Sequence, residues 1–185
     1  MQNLFTAIYV LPIGYTFLGL LLLLAVWSCL QHWYEPLGLG WKALCKLLLG
    51  TALLLWAFAI LYQTVLSRTS GELIIHRDFF HQLKAYLFNN GDKELLRTLW
   101  MNVLLFVPGG LLLEALWPRC FPPWVCIPLT IILLTGLSVG IEAVQYRYAL
   151  GIVEADDVLC NGLGAALGVV IHEGAFLLSR KLPHK

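Results

Sequence analysis

Residues 4–30, 47–66 and 120–141 contain no Asp, Glu, Lys or Arg. Residues 98–117 contain one such side chain, Glu114, and residues 158–178 contain one, Glu173. A helix of about 20 residues, rising about 1.5 Å per residue, crosses a hydrocarbon core about 30 Å thick. Each run is long enough to span, and each is continuous rather than alternating, which favours helices over barrel strands. Only 12% of the chain is charged and 59% is hydrophobic, against about 25% charged residues in an ordinary soluble domain. The expected fold is therefore all-α: one polytopic membrane bundle over residues 1–185, with about five transmembrane helices. The net charge of +1 and a pI of about 7.7 exclude a strongly basic nucleic-acid binder.

The first run has no positive stretch before it, since the first charged residue is Glu35 and the first lysine is Lys42. A secretory signal needs such a stretch, so this run is expected to be a retained helix. Cys29, Cys45, Cys120, Cys126 and Cys160 show no metal-ligand or redox spacing and read as small apolar residues.

Alternation of the helices defines two ends. Side A carries the N-terminus and the connections 67–97 and 142–157; side B carries 31–46, the turn at 118–119 and the C-terminal tail. Six basic residues fall on each side, but side B holds them in fewer residues. That bias places side B in the cytoplasm and side A outside, with the C-terminus inside. Phe79, Phe80, Leu83, Tyr86 and Leu87 share a helical face in the long side-A connection. This spacing predicts a short helix near 79–88, lying in the headgroup plane or closing on the bundle as a lid.

Polar residues within membrane-grade segments are costly and call for an explanation. Arg97 and Asn102 open the third run, Glu142 and Gln145 close the fourth, and Asp156, Asp157 and Asn161 open the fifth. If the helices alternate, all seven meet at side A, and they form the candidate ligand-binding set. Asp157, Asn161, Gly164 and Gly168 lie on one helical face, where the glycines admit a close neighbour. Asn102, Phe106 and Gly110 form a similar face, and Pro108 should free the Leu104 carbonyl. Phe106, Pro108, Gly110, Gly164 and Gly168 are the candidate structural residues. Asp156 fits a helix cap, whereas Glu142, near a helix C-terminus, requires a cation that Arg97 or Arg147 would supply. Glu114 and Glu173 are expected at the side-B interface. No metal or cofactor signature accompanies these residues.

In order and spacing, Asn102 with Phe106-Val-Pro108-Gly109-Gly110, then Glu142-Ala-Val-Gln145, then Asp156-Asp157 with Asn161, Gly164 and Gly168 resemble the VanZ-like family of bacterial membrane proteins. The motif-bearing core is 97–178. Many members carry an arginine a few residues before the double Asp; Leu150-Gly151-Ile152 stands there in this chain, and Arg147 is the candidate substitute. The resemblance implies a bacterial inner-membrane location and a role in resistance to glycopeptides such as teicoplanin, through membrane lipids or an envelope precursor as partner. Whether the protein is an enzyme stays open. Asp157 and Glu142 would suit acid–base work on a lipid headgroup, or Mg²⁺ binding with Asp156, Asn102 and Asn161. A small transporter or flippase is a further alternative, and neither the ligand nor the oligomeric state is written in these motifs.

Overall fold

The computed structural model describes residues 39–76, 80, 84, 87–88, 93–118 and 120–181. The chain divides into two units: residues 39–171, and a second unit made of 1–38 with 172–185. Within the first unit, α1 spans Leu39–Leu61 and runs on into a π-helical turn, Tyr62–Leu66. A short strand β1 (Ile74–His76) follows, then α2 (Lys93–Leu116), α3 (Pro123–Tyr148), β2 (Ile152–Glu154) and α4 (Ala155–Lys181). The last turns of α4 belong to the second unit, where His172 Nδ1 lies 3.1 Å from Glu173 Oε1.

Four of the described helices are long and apolar enough to cross a membrane: Ala43–Leu66, Leu96–Leu116, Pro123–Tyr148 and Ala155–Leu178. The expected span at 4–30 lies outside the described residues. So does most of the expected helix near 79–88, of which Lys84, Leu87 and Phe88 are helical and the Lys84 amide bonds the Phe80 carbonyl at 2.8 Å. Leucines, valines and aromatics are exposed along all four spans, among them Leu54, Phe58, Ile132 and Val170. A soluble protein rarely exposes so much apolar surface in contiguous faces, whereas a bilayer solvates it.

The two connections at side A, expected as loops, carry a two-stranded parallel sheet. Ile74 pairs with Ile152, Ile75 with Val153 and His76 with Glu154. Three residues give too little periodicity to read as a strand, so only the tertiary pairing reveals them. α3 also extends seven residues past its expected end at 141. It stops at Ala149, which adopts a left-handed conformation (φ 49°), and Gly151 (φ 118°) completes the reversal into β2. The left-handed conformation is the common way to end a helix and satisfy its last carbonyls. Here the amides of Ala149 and Leu150 return to Gln145 and Tyr146 carbonyls.

The core lies where α1, α2 and α4 meet around Phe106, which is fully buried. Pro108 breaks the hydrogen-bond ladder of α2. Trp56 of α1 donates its indole N–H to the carbonyl of Leu105, at 3.0 Å, one residue beyond the Leu104 carbonyl that the proline was expected to free. The Trp56 ring meets Phe106 edge-on at 5.6 Å and fills the space over Gly109, where any Cβ would collide with it. At side B, Glu114 is buried (5% exposed), not interfacial as expected. Thr130 Oγ donates to its carboxylate at 2.7 Å, and Trp117 donates to Thr130 at 2.8 Å. A buried acid needs such partners, and they come from the neighbouring helix and the turn.

The approach of α4 to α2 is closest at three glycines. A Cβ on Gly164, Gly168 or Gly110 would collide with the carbonyl oxygen of Val103, Val107 or Ala165, respectively. Gly164→Ala is therefore expected to lower the thermal midpoint in detergent, at a cost of roughly 1–3 kcal/mol for forced overpacking. Gly136→Ala on α3, which meets nothing within 4 Å, should leave the midpoint unchanged or raise it. Equal midpoints for the two variants would contradict this packing.

Candidate functional site

The glycine contacts set the register of two parallel helices, with Val103 beside Gly164 and Val107 beside Gly168. That register brings the first turns of α2 and α4 together at side A. Asn102 Nδ2 donates to Asp157 Oδ1 at 2.6 Å. A charge-assisted bond of this length holds both side chains in one geometry.

α3 delivers two more polar groups to the same end. Gln145 is buried and donates its Nε2 to the Thr64 carbonyl at 2.9 Å. Carbonyls in the last turn of a helix have no partner within it. The π-helical turn presents this one to α3, and Gln145 satisfies it. One turn earlier, Glu142 Oε2 accepts the backbone N–H of Glu154 at 3.2 Å, tying α3 to β2. The helical extension to Tyr148 explains the arrangement, because Glu142 sits well inside α3 rather than at its end.

Arg97 and Arg147, the cations expected opposite the Glu142 carboxyl, lie at the surface, and a third arginine also acts there. Arg97 is exposed in the first turns of α2. Arg147 is exposed too, with its guanidinium over the Tyr148 ring, 5.8 Å from the centroid. Arg68 supplies an opposite charge to both Glu142 and Asp157. Arg68 follows the π-helical turn of α1, and its Nη1 donates to the Leu150 carbonyl at 3.4 Å. It thus reaches the stretch where the sequence motif lacks an arginine. The physical signal for it was weak, because an Arg at the edge of a long connection has no fixed periodic partner.

Asp156 and Asn161 turn to different neighbours. Asp156 lies in the first turn of α4, 3% exposed, where the helix dipole favours an acid. Its Oδ1 accepts the backbone N–H of Phe80, so this side chain pins the long connection to α4. Asn161, one turn below Asp157, donates Nδ2 to Ser138 Oγ of α3 at 2.8 Å. Its Oδ1 is buried with no partner among the described residues.

A cleft of about 360 Å³ opens beside these groups, lined by Ile75 and His76 of β1, Glu142 and Tyr146 of α3, Val153 and Glu154 of β2, and Ala155 and Val158 of α4. The strands form one wall and the helix ends the other. Among the described residues, no group of three or more His, Cys, Asp or Glu side chains is placed to hold a metal ion. The lining residues Tyr146, Val153 and Glu154, like Arg68 and Trp56, were not singled out from the sequence.

The family model described as VanZ/LLP1 matches residues 20–177. No curated protein and no solved structure matches the chain.

If Arg68 acts on the α3 carboxyl, the two sites must be energetically coupled. Arg68→Gln is expected to lower the unfolding midpoint, and Glu142→Gln in that background to restore part of it. A double-mutant cycle should give a coupling on the order of 0.5–1 kcal/mol, smaller at high salt because Arg68 is exposed. Strictly additive effects would show that the two do not interact.

Proposed function

The chain belongs to the VanZ/LLP1 family of membrane proteins, and on that basis we propose that it binds the polar headgroup of a cell-envelope lipid or lipid-linked precursor in the cleft at side A. The observation that carries this reading is the placement of a buried carboxyl, Glu142, on the wall of an open cleft, at the end of helices whose outer faces are apolar. Glu142 is buried and lines that cleft beside Glu154 and His76. Apolar groups (Ile75, Val153, Val158) share the lining, as suits a ligand with a polar head and an apolar body. Carboxyls kept at such depth are costly, and a binding role accounts for that cost.

In this reading the protein resides in the bacterial inner membrane with side A outward. Its ligand is an envelope lipid or precursor, and its effect on glycopeptides such as teicoplanin follows from altering the behaviour of that ligand at the outer surface. Arg97, Asn102, Glu142, Gln145, Asp156, Asp157 and Asn161 frame the site. Their shared role is to hold the rim and floor of the cleft in place, and Glu142 contributes directly to its surface.

Native mass spectrometry of the protein extracted with its lipids tests this reading. Wild type is expected to retain a defined lipid species that Glu142→Gln/Asp157→Asn loses at equal protein levels. Expression of the wild type in a teicoplanin-sensitive host should raise resistance, and the double variant should not. Identical lipids in both proteins, or no retained lipid, would overturn the binding role.

A further inference from the structure

The sheet at side A leaves apolar side chains exposed. Ile74 and Ile152 are partners in the ladder and are 43% and 44% exposed. Partners in register project from the same face of a sheet, so the two form one patch. Leu73 and Ile75 flank it along β1 and are exposed as well. In the connection that follows, Phe80, Leu87 and Phe88 are exposed, Phe88 at 84%. Phe80 has φ 64°, a conformation rare for a bulky residue, and the buried Asp156 holds its N–H. The fold thus fixes an aromatic residue whose ring stays at the surface.

Chain length sets the depth of this patch. α3 has 26 residues and is about 39 Å long at about 1.5 Å per residue. A hydrocarbon core is about 30 Å thick, and about 40–45 Å with its headgroup layers. The side-A end of a centred α3 therefore falls in the headgroup layer. Only residues 149–154 join α3 to α4, and Ala149 and Gly151, both at positive φ, turn the chain back at once. β2 runs straight into α4 and does not rise clear of that layer. β1, in register with β2, is held at the same depth.

We propose that the β1–β2 sheet, with Phe80, Leu87 and Phe88, is a membrane-surface platform whose partner is the lipid bilayer, at the boundary between headgroups and acyl chains. This holds whatever the cleft binds. The patch is continuous with the lipid-facing surface of the spans: Tyr62 at the end of α1 and Tyr146 and Tyr148 at the end of α3 are exposed beside it, and tyrosine rings favour that boundary. The exposed charges at this end suit phosphate headgroups. Among the described residues they are Arg68, Lys84, Arg97 and Arg147, against Glu72. The outer edge of a two-stranded ladder limits the depth from the other side. Hydrocarbon offers its backbone groups no partner, whereas headgroups and interfacial water do. In water, an apolar edge strand of this kind would invite association instead.

Fluorescence quenching tests this on the full chain in vesicles of phosphatidylcholine and phosphatidylglycerol. Ile74, Ile152 or Phe88 is replaced, one at a time, by an amino acid with a dansyl side chain. The same replacement at Val139, exposed in the middle of α3, reports the hydrocarbon core, and the free dansyl amino acid reports water. Lipid with a nitroxide near its headgroup is expected to quench the three platform positions at least about threefold more than lipid with a nitroxide deep in its acyl chain, with the order reversed at Val139. Iodide on both sides of the membrane should quench them at least about threefold less than it quenches the free amino acid. Iodide quenching equal to that of the free amino acid would put the sheet in water and overturn the platform. Protection from both iodide and nitroxide lipid would put it under protein, whether the bundle or a second copy, and would overturn it equally. Stronger quenching by the deep nitroxide would overturn the assigned depth. Phe88 is the most exposed of the three, so its variant carries the test even where a strand variant fails to fold.

Discussion

Two helices in lipid gain little by burying apolar surface against each other, because the lipid chains are as apolar as leucine. What brings them together is close van der Waals contact and hydrogen bonding between backbones that small residues allow to approach. Gly164 and Gly168 lie against the Val103 and Val107 carbonyls, and Gly110 against that of Ala165. Each contact excludes a single methyl group, so the register of α2 against α4 is fixed to a fraction of a turn. The Asn102–Asp157 bond at the side-A end follows from that register. Trp56 performs the matching task for α1, filling the space over Gly109 and taking up a carbonyl beside the proline break.

With the helices in register, the connections at side A become a structure of their own. β1 and β2 pair across distant parts of the chain. A pair of three-residue strands is marginal alone, and here it is braced at several points. Glu142 accepts the Glu154 amide, Gly71 donates to the Ala149 carbonyl at 2.8 Å, and Arg68 reaches Leu150. Glu142 thus serves the fold as an anchor for a backbone amide while remaining on the wall of a cleft.

Much of the bundle was legible in the sequence. Uncharged runs gave the spans, and a helix can terminate only where its run meets charge or a turn signal. Alternation then sent Asn102, Glu142, Gln145, Asp156, Asp157 and Asn161 to one end, and their hydrogen bonds in the structure lie there. The i, i+4, i+7 spacing of Asp157, Asn161 and Gly164 located the helix–helix seam. Less legible was the partner of each group. Arg68, which reaches Leu150 and adds an opposite charge to Glu142 and Asp157, was not singled out, because its place depends on how a loop folds back. Glu114 was placed at the interface by its position near the end of a run, yet Thr130 and Trp117 draw it inside.

The sequence by itself determined that the chain is a bundle of apolar helices whose polar faces gather at one end, since hydropathy and helical period are properties of neighbours along the chain. It also carried the motif of the VanZ/LLP1 family, which is local in the same sense. Only the tertiary structure decided that Arg68 reaches Leu150, that two three-residue segments pair as strands, and that a cleft opens between them and the helix ends. Those features join residues up to 82 positions apart, as Arg68 and Leu150 are. No periodicity within a single segment encodes contacts at such a separation; they arise when glycine-mediated packing has already placed the helices.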